Sequence, residues 1–166
     1  MHKVHDGGRD REATGRDPQA VADEAARLFT AGDQSTFRYL GFALVEIAPG
    51  RGVLSFTVAK HHLNSAGVCH GGVVFALADS ALGVASCSHG IQTLAQHADI
   101  HWLRPAHEGD VLTATASEVS KSGRTAVYDI AVANQTVFSA HVKVEVRQGG
   151  TWNTFCEADV DPQSFF

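Results

Sequence analysis

From Val21 onward the chain places apolar residues three and four apart, at Val21, Ala25, Leu28 and Phe29. That spacing predicts a short amphipathic helix. Asp17-Pro18 supplies its start, an N-cap acid followed by proline at the first helical position, and Gly32 supplies its stop. From Phe37 the period shortens to two. Tyr39–Ile47 reads as a strand, Pro49-Gly50-Arg51-Gly52 as a turn, and Val53–Val58 as a second strand alternating apolar with polar, so the pair predicts a hairpin. The stretch from Val73 to Ala85 is then apolar or small on every side except at Asp79. It predicts a long helix that opens at Gly71-Gly72, ends near Ser88-His89-Gly90 and must be buried. Four strand-like runs follow, Thr93–Leu103, Asp110–Val119, Thr125–Ala133 and Thr136–Val146. No helix separates them, which predicts an antiparallel meander. The expected class is α+β, a curved antiparallel sheet wrapped around a long central helix.

This pattern occupies residues 17–147. Residues 1–16 are charged and glycine-containing without an apolar period, and predict a disordered tail. Residues 148–166 are acidic with scattered aromatics (Trp152, Phe155, Phe165 and Phe166) and leave open whether they pack on the core.

Composition narrows the function classes. The 166 residues fit one domain with a real core. A net charge of −5 with no basic stripe argues against a nucleic-acid partner. Three cysteines at irregular spacing form neither a disulfide framework nor paired zinc ligands. No apolar run approaches the roughly 18 residues of a membrane span, and no secretory h-region opens the chain. A cytoplasmic setting without membrane attachment is the expectation.

The chemistry concentrates around the central helix. Asp79 is its single charge, and a lone carboxylate on a buried helix costs several kcal/mol unless it is paired, neutralised or used. The backbone N–H groups of Gly71 and Gly72 are unpaired donors of a first helical turn, with the helix dipole adding partial positive charge. Without a Cβ, Gly71 lets a ligand carbonyl approach, as an oxyanion site requires. Gly71 and Asp79 are eight residues apart, hence about 12 Å along one helix. A reacting carbonyl must lie about 3 Å from its donor and about 3–3.5 Å from the attacking atom, so one helix cannot serve both ends. Two antiparallel copies across a two-fold axis can. If both residues are catalytic, the enzyme is an obligate dimer with two shared sites.

Asn64, His70-Gly71-Gly72 and Leu77-Ala78-Asp79 closely resemble the hotdog-fold acyl-CoA thioesterases, in particular their phenylacetate-pathway (PaaI-type) branch. Trp102-Leu103-Arg104-Pro105, Gly109–Ala116 and Gly123–Asp129 extend the resemblance in order from about Phe37 to Val146. It implies that Asp79 attacks the thioester carbonyl or activates water. It also implies that the Gly71 N–H of the other subunit polarises the carbonyl, that Asn64 helps place the water or carboxylate, and that His70 orients the loop. The implied substrate is phenylacetyl-CoA, hydroxyphenylacetyl-CoA or a similar aryl or medium acyl-CoA. Coenzyme A is part of that substrate, so no separate cofactor is implied, and the implied assembly is at least a homodimer and on to a homotetramer. Hydroxybenzoyl relatives carry Glu at the acid position and Thr one turn later, where this chain has Gly83; some place Ser or Thr at the position of Ala95.

For the coenzyme A phosphates, Lys121-Ser122-Gly123-Arg124 offers a tight turn with two cations, and Arg104 is a second candidate; Gly72 adds a backbone donor. Alternatives remain within the same residues. Cys69-His70 are adjacent, so their side chains diverge and make a poor nucleophile pair. His97, Asp99 and His101 share a strand face, where polar residues are read as interfacial rather than as metal ligands, and His61-His62 read as loop histidines. A hotdog enoyl-thioester hydratase or dehydratase using His70, or a non-catalytic acyl-CoA binder, would share much of this sequence.

Overall fold

A computed structural model describes residues 15–32, 34–134 and 138–151. The expected tail over residues 1–14 and the aromatics from Trp152 onward lie outside the described residues. α1 (Pro18–Gly32) starts and stops where the proline and glycine require. A second short helix, α2 (Gln34–Leu40), follows, where a strand was expected from Tyr39. Its Phe37 is buried among the core residues and its carbonyl accepts the Phe42 N–H at 2.9 Å, which closes the segment as a turn before the sheet begins. Tertiary anchoring of Phe37 decides this segment rather than the local period.

The sheet comprises β1 (Ala43–Ala48), β2 (Arg51–Thr57), β3 (Ile91–Trp102), β4 (Val111–Ser122), β5 (Thr125–Ala133) and β6 (Phe138–Thr151). Every neighbouring pair is antiparallel. The order is β1-β2-β4-β5-β6-β3, which corrects the expected four-strand meander. Only β4, β5 and β6 run in sequence, and β3 sits at the far edge against β6. Local pattern identifies strands but not the partner that a long connection reaches. β6 also continues to Thr151, which pairs with Ile91, so the sheet extends past the boundary expected at residue 147.

The long central helix, α3 (Gly71–Cys87), lies on this sheet. Leu77, Ala78, Ala81, Leu82, Val84 and Ala85 of α3 form one cluster with Leu54 and Phe56 of β2, Leu112 and Ala114 of β4, Ile130 of β5 and Val142 of β6. Burial of each large side chain in such a cluster contributes about 1.5–3 kcal/mol. No helix of the described residues is long and apolar enough to cross a membrane.

One expectation about α3 fails. Gly72 and Asp79 are exposed and Phe75 and Ala76 only half-buried, so one stripe of the apolar helix is left uncovered by the described residues. The sheet buries one side of α3, and a helix apolar all round keeps a second side that a single layer cannot reach.

Candidate active site

The loop before α3 is held by backbone bonds from two directions. The His70 N–H donates to the His62 carbonyl and the Cys69 N–H to the Ala106 carbonyl, each at 2.8 Å. Within the loop the Asn64 side-chain oxygen accepts from the Ala66 N–H at 2.9 Å and, more weakly, from the Val68 N–H at 3.4 Å. Asn64 is therefore a loop former, bridging the turn that delivers Cys69 and His70 to the helix start.

His70 caps α3. Its Nδ1 accepts the Gly72 N–H at 3.0 Å, while its backbone carbonyl accepts the Val73 N–H at 2.8 Å. On the other side of the same peptide unit, the Trp102 indole N–H donates to the Gly71 carbonyl at 3.2 Å. The 71–72 peptide is thus pinned through both its N–H and its C=O. Among the described residues the Gly71 N–H itself has no acceptor, as the first N–H of a helix has none from the helix.

The fold gives a steric reason for glycine at 71 beside the expected one. A Cβ there would meet the Trp102 indole, 2.9 Å from Nε1 and 3.1 Å from Cε2. The missing side chain makes room for the indole, which the sequence did not single out as part of the site.

Two clefts meet at Gly71 and Trp102. One, of about 620 Å³, opens beside His70-Gly71-Gly72 with walls of Phe75, Ala98, Ile100 and Trp102. The other, of about 280 Å³, lies towards Cys69, Val74 and the exposed 103–105 segment that carries Arg104. Asp79 stands two turns along α3 from Gly71, on the exposed stripe.

The structure brings Gly71, Gly72, His70, Asn64 and Arg104 to one end of α3. It does not bring the second cation set there. Pairing of β2 with β4 sets Thr57 against Val111 and Arg51 against Ser117, so β4 runs away from that end. The Lys121-Ser122-Gly123-Arg124 turn is its far tip, about 36 Å along the strand from Val111. Near that tip His89, just past the end of α3, meets Glu118 at 2.8 Å, and the Tyr128 hydroxyl donates to the same carboxylate oxygen at 2.8 Å. Burial alone would raise the Glu118 carboxyl. The bonds from Tyr128 and His89, with the Lys121 charge nearby, hold it below its usual value.

Several rival readings meet the geometry. Burial pushes the Cys69 thiol up to about 11, so it is no activated nucleophile. The His70 ring is engaged by the Gly72 N–H rather than by a carboxylate, which a hydratase would need. His97, Asp99 and His101 are exposed on β3, and among the described residues no group of three or more His, Cys, Asp or Glu could hold a metal ion. His62 is a core histidine, not a loop one. It is only 3 % exposed, its Nδ1 accepts the Ala59 N–H at 2.9 Å, and its Nε2 has no partner among the described residues.

Residues 66–137 match the thioesterase superfamily. The acyl-coenzyme A thioesterase PaaI of Escherichia coli is 41 % identical over 96 residues, 58 % of this chain and 69 % of that protein. The chain belongs to the thioesterase superfamily. The hotdog architecture agrees: the structure of the E. coli PaaI protein from the phenylacetic acid degradation operon superposes with a TM-score of 0.79 at 34 % identity, covering 81 % of this chain and 99 % of that one. A Streptococcus mutans protein bound to acetyl CoA superposes with a TM-score of 0.64 at 28 % identity, over 66 % of this chain and 90 % of its own. An Archaeoglobus fulgidus relative is 42 % identical over 98 residues, 59 % of this chain. That match spans 64 % of the archaeal protein, somewhat under two thirds of its length. In this thioesterase-superfamily chain, the matched segment holds the Gly71 helix start, Asp79 and Trp102, whereas α1 and α2 precede it.

Proposed function

We propose that the chain hydrolyses acyl-CoA thioesters, of phenylacetyl, hydroxyphenylacetyl or similar aryl or medium acyl groups, to the free acid and coenzyme A. The observation that carries this reading is the Gly71 N–H, without an acceptor among the described residues at the pinned start of α3, with Asp79 on the exposed stripe of the same helix. The clefts beside Gly71 are of a size suited to small ligands.

The thioester oxygen accepts the Gly71 N–H of one protomer, where helix-terminal charge favours the negative charge that develops on it. Asp79 of a second copy reaches the carbonyl carbon from the opposite side. Its carboxylate either adds to that carbon or takes a proton from the water that does, and the thiolate leaves readily enough to need no strong general acid. The similarity to a protein bound to acetyl CoA supports a coenzyme A ester as the substrate. Arg104, beside the smaller cleft, is placed to meet the coenzyme's phosphates at the Gly71 end. In an antiparallel dimer the Lys121–Arg124 turn serves only the site that the neighbouring copy's Gly71 forms.

Asp79→Asn tests the reading. Its exposed side chain makes the substitution tolerable to the fold, and loss of the base should lower kcat on phenylacetyl-CoA by at least about a hundredfold. Thiol release followed with a chromogenic disulfide measures this; undiminished turnover in the folded variant overturns the assignment.

A further inference from the structure

The two clefts share Gly71 and Trp102 and differ in everything else that matters. The larger offers Phe75, Ala98 and Ile100. The smaller also has apolar walls, at Cys69, Val74 and Leu103, and it is the one that Arg104 lines. A thioester carbonyl bound at the Gly71 N–H sends two arms away from one carbon, and each arm needs its own space. The acyl arm is apolar, whereas the other ends in phosphates. We propose that the Trp102 indole sorts these arms, walling off an acyl compartment on the Phe75–Ile100 side from a coenzyme compartment on the Arg104 side.

This inference rests on the acyl-CoA reading above and assigns the wall to one side chain. The indole suits that role because it is locked. Its Nε1–H is bonded to the Gly71 carbonyl, and its ring fills the space where any other residue at 71 would carry a Cβ. No gap is left between wall and helix start, so an acyl group cannot pass from one compartment to the other beside the oxyanion donor. The same hydrogen bond makes Trp102 a positioning residue for the 71–72 peptide, which His70 holds from its other end. Acyl selectivity and aim of the donor therefore share one side chain.

The test uses the full chain with Trp102→Phe and Trp102→Ala, and non-hydrolysable coenzyme A thioethers bearing a 2-phenylethyl or a bulkier 2-naphthylethyl group. Calorimetry gives their affinities beside that of coenzyme A alone. The wild type should prefer the phenyl ligand. Trp102→Ala, which joins the two clefts, should narrow that preference by about tenfold, beyond any loss it causes for coenzyme A alone. Trp102→Phe, which keeps a ring but loses the N–H, should retain more of the preference yet lower kcat on phenylacetyl-CoA with KM little changed. An unchanged phenyl-to-naphthyl ratio in Trp102→Ala, or an equal loss for all three ligands, overturns the proposal. Thioether binding requires no turnover. A chain that shows the predicted sorting but hydrolyses no ester would sink the hydrolytic reading and leave the wall standing.

Discussion

Gly71 shows how a residue's identity and its reason can come apart. The glycine pair before a single acid is visible in the sequence and suggests a backbone donor. That its bare face accommodates an indole from residue 102 is a tertiary fact, carried by no pattern within reach of either residue. Asn64 and His70 stand out in the sequence as candidates for the site, and their hydrogen bonds shape the loop and cap the helix. His62 was misplaced because two adjacent histidines look solvated, whereas the fold packs this one edge-on to Phe56. Burial, then the neighbouring His61 ring, lowers its pKa from 6.5. The unfolded chain therefore takes up a proton in a range where the folded chain does not, and stability present above about pH 6.5 is lost as pH falls towards the folded value. Urea midpoints measured between about pH 7 and about pH 5.5 should fall with pH, and fall less steeply in His62→Met. The Glu118 carboxyl, held low by its partners, contributes its own loss only at more acid pH, below the usual 4.5.

At the scale of elements, α3 was the most legible part of the chain and α2 the least. Seventeen residues, apolar or small except for Asp79, leave little choice, while seven residues carrying Phe37 and Tyr39 satisfy a strand template as well as a helix. The seam between α1 and α3 was equally hidden. A Cβ at Gly83 would lie 2.6 Å from two ring atoms of Phe29, so the helices meet through a ring seated on a bare backbone. Phe29 in turn begins an edge-to-face row through Phe37, Phe42 and Phe56. Gly83→Ala should cost about 1–3 kcal/mol by overpacking, read by chemical denaturation. Phe29→Leu combined with it should recover part of that loss, a coupling that two independent sites would not show.

For the whole molecule, the sheet order matters more than the strand count. β3 reaches the outer edge rather than the centre, and carries Leu94 at 69 % and Trp102 at 56 % exposure. The exposed stripe of α3 and this long exposed edge belong to the same chain, and an uncovered edge invites pairing with another strand. The strands could be read from alternation, but their order could not, because β3 returns to β6 through a contact that bypasses β4 and β5. A second copy covering both features would complete the active centre. Light scattering coupled to size exclusion should give at least twice the chain mass, and a monomer with full activity would refute the shared site.

The stripe that runs past Asp79 has a further consequence. If each turnover needs helices from two molecules, specific activity is not a constant of the chain but rises and falls with how much of it is present. Dilution below the dimer's dissociation constant would silence the enzyme without unfolding it. A charged residue placed at Ala76, midway along the stripe, would do the same at any concentration.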